Sequence, residues 1–253
     1  MARRRRNKRY RRGRLTVLLR FFSFLVICAA IAAALILFFK VETIEVAGNL
    51  RYTEEQVLEV AGIERGENMF LINKYAIADR ITQQLPYVQS VRPWRHWPNT
   101  IVLQLEEGEP IAVVAEAENA WLISDEGKLL ERIDIDGGEG YPRITGCKLL
   151  LPTEGSYLSL PADGHITDAQ LLTLLKELKE RDMLANTSRI DCTSAQMLVL
   201  RYAGRFDVQL PYDADYGKKL YALEEIIKRL QDNETGTVIL TLPDRSFFKP
   251  DLY

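Results

Sequence analysis

The side chains able to do chemistry are few and poorly grouped. The only histidines are His96, in a turn between Trp94 and Trp97, and His165, beside Gly164. Neither has a partner at metal-ligand spacing, so a zinc site is not expected. Ser246-Phe247-Phe248-Lys249 has the Ser-x-x-Lys spacing in which a serine nucleophile works beside a lysine. That chemistry needs the serine at a helix start in a cleft, with Ser-Asp-Asn-like and Lys-Thr-Gly companions. Here Pro250 follows directly and both companions are missing. Asp134-Ile135-Asp136 and Asp213-Ala214-Asp215 have the Asp-x-Asp form used to hold a cation on a sugar nucleotide. The first runs into a glycine-rich loop and reads as a solvated turn. The second fits a helix N-cap, where a carboxylate satisfies free backbone N–H groups. Glu106, Glu107 and Glu109 have no basic or histidine companion and read as a junction rather than a catalytic dyad. There is no Gly-x-Ser-x-Gly elbow and no phosphate-cradling glycine loop. The expectation is a protein that is not an enzyme, with no cofactor, no metal and no small-molecule substrate.

The charge distribution explains where such a chain works. Residues 1–40 carry eleven Lys/Arg and no acid, and the remainder carries 22 basic and 35 acidic residues. A basic head on an acidic body argues against nucleic-acid binding by the whole chain. Between Arg20 and Lys40 lie nineteen uncharged residues, Phe21 to Phe39, with Ser23 the one polar group. At ~1.5 Å per residue they cover about 28 Å, which matches a hydrocarbon core of ~30 Å. Phe21 and Phe39 are therefore the expected ends of a membrane span. Arg3, Arg4, Arg5, Arg6, Lys8, Arg9, Arg11, Arg12 and Arg14 crowd one flank and place that end in the cytoplasm. A cleaved signal peptide has a core of ~7–15 residues followed by a small-x-small site. Here the small residues Ala29 to Ala34 sit mid-run and more apolar residues follow, so an uncleaved anchor is expected. Cys28 lies inside the span. Cys147 and Cys192 share the far side, where a disulfide is permitted, and two free buried thiols are the competing reading.

Beyond the span, residues 41–47 (VETIEVA) read as a strand and Gly48-Asn49 as a turn. Thr53 caps a helix, with Gln56 completing a capping box and Gly62 ending it. A second helix covers 74–85, with Ile77, Ile81 and Leu85 on one stripe and Pro86 as its stop. Strands follow at 88–94 and 100–106, around a Trp97-Pro98-Asn99 turn. The order β-α-α-β-β gives a small sheet with one face covered by helices. After Glu109-Pro110 short strands dominate, at 111–115, 121–124, 129–132, 189–192, 198–202, 206–210 and 238–242. Asp125-Glu126-Gly127-Lys128 makes a hairpin. Helices interrupt them at 167–181, with Thr167 and Gln170 as a second capping box, and at 216–231. The fold class is α+β: one transmembrane helix, a β-α-α-β-β domain, and a mostly antiparallel β domain with flanking helices. Few contacts are expected across Glu109-Pro110, so residues 41–110 are expected to fold alone.

This series of motifs resembles the FtsQ/DivIB family of bacterial cell-division proteins. The stretch VETIEVAGNLRYTEEQVLEVAGIERGENMF resembles the opening of that family's membrane-proximal POTRA domain, through Ile44, Val46, Gly48, Asn49, Glu55, Val57, Gly62, Gly66, Asn68 and Phe70. Leu85-Pro86-Tyr87-Val88, Trp97-Pro98-Asn99-Thr100-Ile101 and Glu109-Pro110-Ile111-Ala112 resemble its end. Ile123 to Lys128 and Tyr141 to Gly146 resemble segments of the following β domain. The ending Val238-Ile239-Leu240-Thr241-Leu242 departs from the Ile-Asp-Leu-Arg-like strand common in the family. The resemblance implies a cytoplasmic tail at 1–20, a span at 21–39, a POTRA domain at 41–110, a β domain at 111–243 and a tail at 244–253. It also implies a divisome scaffold at the septum that binds FtsB/DivIC-like and FtsL-like bitopic proteins and helps position septal peptidoglycan synthesis. The rival readings are a type II membrane-anchored envelope enzyme and a POTRA-type chaperone or secretion component.

The expected partner site is the end of the chain. Val238, Ile239, Leu240, Thr241 and Leu242 form its last expected strand, without charge to blunt an open edge, and Phe247 and Phe248 follow. An unblunted edge beside aromatics suits strand addition by a partner. The alternative is an internal strand, with the Phe pair packed back on the last helix at Ile227 and Leu230.

Overall fold

The computed structural model describes residues 9–48, 51–116, 118–242 and 245–251, with side chains from Thr16 onward. Asn49 and Pro243, expected in a turn and at a strand end, lie outside the described residues.

Helix α1 (Arg9–Phe38) holds a 23-residue apolar stretch, Thr16–Phe38, none of it buried against the rest of the protein. The helix ends one residue before the expected Phe39, and a side chain marks the end. Asn68 donates its Nδ2 to the carbonyls of Leu35 (3.1 Å) and Ile36 (3.0 Å), taking up acceptors that a helix terminus leaves free.

The chain then builds a three-stranded sheet under two helices. Strand β1 (Thr43–Ala47) is followed by α2 (Glu54–Ala61), α3 (Lys74–Gln84), β2 (Val88–His96) and β3 (Thr100–Glu107). The strand order is β1-β3-β2, with β1 parallel and β2 antiparallel to β3. Thr53 and Gln56 form the expected capping box, and Gly62 ends α2 in the left-handed region at φ 58°. Asn73, not expected as a cap, accepts from the Tyr75 and Ala76 N–H groups and starts α3. Val57, Ala61, Ile77 and Ile81 close over Ile101, Leu103 and Leu105 to make this sheet's core.

A nine-stranded sheet follows. Its strands are β4 (Pro110–Ala115), β5 (Asn119–Ser124), β6 (Leu129–Asp134), β7 (Arg143–Thr145), β8 (Thr187–Asp191), β9 (Leu198–Tyr202), β10 (Phe206–Leu210), β11 (Gly236–Ile239) and β12 (Phe247–Pro250). Helix α4 (Asp168–Glu180) precedes β8, and α5 (Tyr216–Ile227) joins β10 to β11. The order is β12-β11-β10-β9-β8-β7-β4-β5-β6. The β10/β11, β7/β8 and β4/β7 pairs are parallel and the rest antiparallel. Leu171, Leu174, Leu175 and Leu178 of α4 and Leu220 and Leu223 of α5 cover one face of this sheet. Cys147 and Cys192 are free thiols in hydrogen-bond contact within this region.

Few contacts cross Glu109-Pro110, as expected, since among the described residues no two helices or strands on opposite sides of it pack extensively, but a small side-chain seam bridges the boundary. Lys128, in the expected hairpin turn, is 2% exposed. Its Nζ donates to the Thr82 carbonyl at 2.6 Å and the Val88 carbonyl at 2.7 Å, both on the other side of the boundary. Tyr87 packs with Val113, Ala120, Leu122 and Leu130, and its hydroxyl donates to Glu131 at 2.8 Å. The two sheets therefore share a polar and apolar seam. The physical reason is that Pro86 has no N–H, so the Thr82 carbonyl needs a donor from outside α3.

Candidate partner interface at the C-terminal edge

The expected binding strand is shifted and is not an edge. It runs Gly236–Ile239, two residues earlier than expected, between β10 on one side and β12 on the other. Val238 and Leu240 are fully buried in the main core. The N–H of Gly236 donates to Arg205 at 3.2 Å and that of Leu240 to Gln209 at 3.0 Å, so both serve the ladder to β10. Thr241 and Leu242 lie past the strand, and the Leu242 carbonyl accepts from Lys219 on α5 at 2.5 Å. Val238, Ile239 and Leu240 therefore cannot receive a partner strand while β12 is in place.

The edge is β12, in what was expected to be a C-terminal tail too short to form its own core. Its register sets Val238 opposite Phe248 and Thr237 opposite Lys249. The Asp251 N–H donates inward to the Thr235 carbonyl at 3.0 Å. Antiparallel ladders alternate inward and outward backbone groups, so Lys249 and Phe247 also face β11 and Phe248 faces out. Pro250 has no N–H to present. The outer side of β12 thus offers the Phe248 N–H as donor and the Phe248 and Pro250 carbonyls as acceptors. Among the described residues no backbone hydrogen bond reaches that side.

The side chains divide between the two faces. Phe248 packs inward on Phe206, ring centroids 6.0 Å apart, in the cluster that also holds Ile227 and Leu230. Phe247 is 46% exposed, and Lys249 is exposed with it. So the internal-strand alternative holds for β11 and for Phe248, and Phe247 stays exposed on the edge strand. Helix α5 braces the region from its cap. Asp215 accepts from the Lys218 N–H at 3.1 Å, and the hydrogen bond from the Lys218 ammonium holds its carboxyl below the usual range.

The opposite end of the sheet is finished differently. The start of β6 is covered by the segment around Ser156: the Leu129 N–H donates to Ser156, the Gly155 N–H to Leu129, and the Leu158 N–H to Gly127. No such segment covers β12 among the described residues.

The other residues singled out in the sequence form no common site. Ser246 precedes β12 and Lys249 lies within it, so the pair is on extended chain rather than a helix. His96 stacks near Trp94 and His165 near Tyr212, far apart in the fold. Glu107 accepts from the Arg51 N–H, Glu106 from the Ser90 hydroxyl, and Asp134 ends β6.

A membrane-type helix leading into a β-α-α-β-β sheet and then a long mixed sheet defines a membrane-anchored POTRA-type protein. The comparisons agree with the fold: residues 39–107 match the family described as "POTRA domain, FtsQ-type". The chain is 33% identical to the cell division protein DivIB of Clostridium acetobutylicum over 213 residues, 84% of each chain. It is 29% identical to the cell division protein FtsQ of Geotalea daltonii over 197 residues, 77% of this chain and 69% of that one. With FtsQ of Corynebacterium glutamicum it shares 39% identity over 104 residues, 41% of this chain and 46% of that protein. The chain belongs to the FtsQ/DivIB family of cell-division proteins.

Proposed function

We propose that this division protein is a non-catalytic scaffold that holds a bitopic division protein by strand addition at β12. The N-terminus lies in the cytoplasm, both sheets lie outside it, and the protein is enriched at the septum, where it helps position peptidoglycan synthesis. FtsB/DivIC-like and FtsL-like proteins are the partners that the family resemblance implies. The observation that supports this reading most directly is the outer side of β12, an uncovered backbone edge beside the exposed Phe247. Backbone pairing supplies affinity in this mode and side-chain pockets supply selectivity. A short edge carrying Lys and Pro resists non-specific self-pairing, as Lys249 and Pro250 do here.

The test is photo-crosslinking from single positions in dividing cells. A benzoylphenylalanine at Phe247 should capture a bitopic division protein, and one at Tyr221 should not. The double change F247E/K249A should abolish capture while the circular dichroism spectrum stays unchanged. Capture from Tyr221 alone, or full capture by the folded double variant, would place the interface elsewhere.

A further inference from the structure

The junction between α1 and the first sheet is fixed rather than flexible. Asn68 binds the carbonyls of Leu35 and Ile36, and Lys40 pairs with Asn68 as an isolated bridge. The Met69 N–H donates to the Phe39 carbonyl at 3.0 Å, and the Val41 N–H to Glu67 at 2.9 Å. The 67–70 loop is therefore bonded directly to the outer end of the helix.

Three aromatic rings meet at this joint. Phe39 lies 5.5 Å from Phe70 and 5.2 Å from Trp97, and Phe70 lies 5.4 Å from Trp97. Phe70 stays 45% exposed, Trp97 53% and Leu71 79%. A folded domain rarely leaves such a cluster to water. Its depth is set by the helix. The uncharged run from Phe21 to Phe38 covers about 27 Å at the helical rise, nearly the whole hydrocarbon core. Phe39, between that run and Lys40, then falls at the outer boundary, and the contacts with Phe70 and Trp97 hold those rings at the same level.

We propose that Phe70, Leu71 and Trp97 form a lipid-contacting belt that seats the POTRA-type domain on the membrane surface. The occupant of the patch is the headgroup and upper acyl region of the bilayer. Aromatic rings with one polar edge prefer that zone, and Trp97 carries an indole N–H to face it. The belt and the Asn68 joint together fix the tilt of the first sheet on the membrane. Through the Lys128 seam they also set the height at which β12 is displayed.

The inference rests on α1 crossing a bilayer, and one experiment separates the two. The full chain is reconstituted in phosphatidylcholine vesicles carrying a spin label high on the acyl chain, and tryptophan emission is recorded. Trp121 is buried in the sheet core and serves as an internal reference. Lipid-dependent quenching should fall about twofold or more in W97F and less in W94F, as expected for a ring at the interface. Adding L71W to W97F should restore it at a site with ample room. Flotation of the vesicles reports anchoring independently. A chain that floats but shows equal quenching in wild type and W97F, with no gain from L71W, would overturn the belt. In that case a protein partner, not lipid, covers the patch. Failure to float would instead overturn the span.

Discussion

Replacing Lys128 with Met keeps most of the stem that fills the seam and removes the ammonium that joins the two sheets. The ammonium is buried, and this burial lowers its pKa from 10.5 to about 8, with Glu126 acting weakly in the other direction. Folding therefore releases the Lys128 proton at any pH between these values. The unfolded chain binds more protons in that window, so stability rises with pH from about 8 to 10.5. Working the linkage between pH 7 and 9.5 gives a gain about 2 kcal/mol larger for wild type than for K128M, since only the Lys128 contribution differs between them. For a protein of this size that is a relative shift of about 4–8 °C in melting temperature. The Cys192 thiol, raised by its contact with Cys147 and by burial, titrates differently in the folded and unfolded chains in this window, but equally in both proteins, so it cancels in the comparison. Tyr87, Tyr212 and Tyr216 are pushed above the usual phenol range by burial, so their effect, a loss of stability with rising pH, begins near pH 10. The assay is thermal unfolding of the full chain in detergent micelles, for both proteins at both pH values. K128M should be the less stable at pH 9.5, because the Thr82 and Val88 carbonyls lose their donor. Parallel pH curves for the two proteins would refute the reasoning, since they would mean that Lys128 is solvated and the seam open.

Three further outcomes follow from the same geometry. T167A removes the Thr167 side of a capping box on α4 and should cost about 1 kcal/mol, read from the denaturant midpoint. Gly146 has φ 79° and its backbone lies so close to β8 that a Cβ would stand 2.4 Å from the Thr193 nitrogen, so G146A should cost about 2–3 kcal/mol or prevent folding. N68A removes the side-chain donor to the Leu35 and Ile36 carbonyls and should speed amide exchange at Val41 and Met69, measured by mass spectrometry on the full chain.

What could be read from the sequence was what is written locally. Capping boxes, the left-handed Gly62, the alternation in β3 and β10 and the leucine stripe of α4 are fixed by neighbours within one or two turns, so propensity and periodicity suffice. The parts that escaped depend on distant residues. Lys128 sits in Asp-Glu-Gly-Lys, which reads simply as a hairpin turn, and nothing local tells that Pro86 has left a carbonyl without a donor. β7 is three residues long inside Tyr-Pro-Arg-Ile-Thr-Gly, and it exists because β4 and β8 pair with it on either side. At the candidate site, Phe247 and Phe248 were legible as an aromatic pair after the last expected strand, but not their separation into an exposed and a packed ring. β12 was missed because Phe-Phe-Lys-Pro has a charge and a Pro within four residues, both marks of non-strand chain. They are also marks of an edge strand, and that reading was open in the sequence.

The most direct test of strand addition is residue-resolved amide exchange on β12 with and without the purified extracytoplasmic segment of the partner. The Lys249 N–H already faces β11 and the Phe248 N–H faces out. Partner pairing should slow exchange at Phe248 by about 100-fold and leave Lys249 little changed, since only the outward amide gains a new acceptor. Equal exchange at Phe248 in the free and saturated protein would contradict the account.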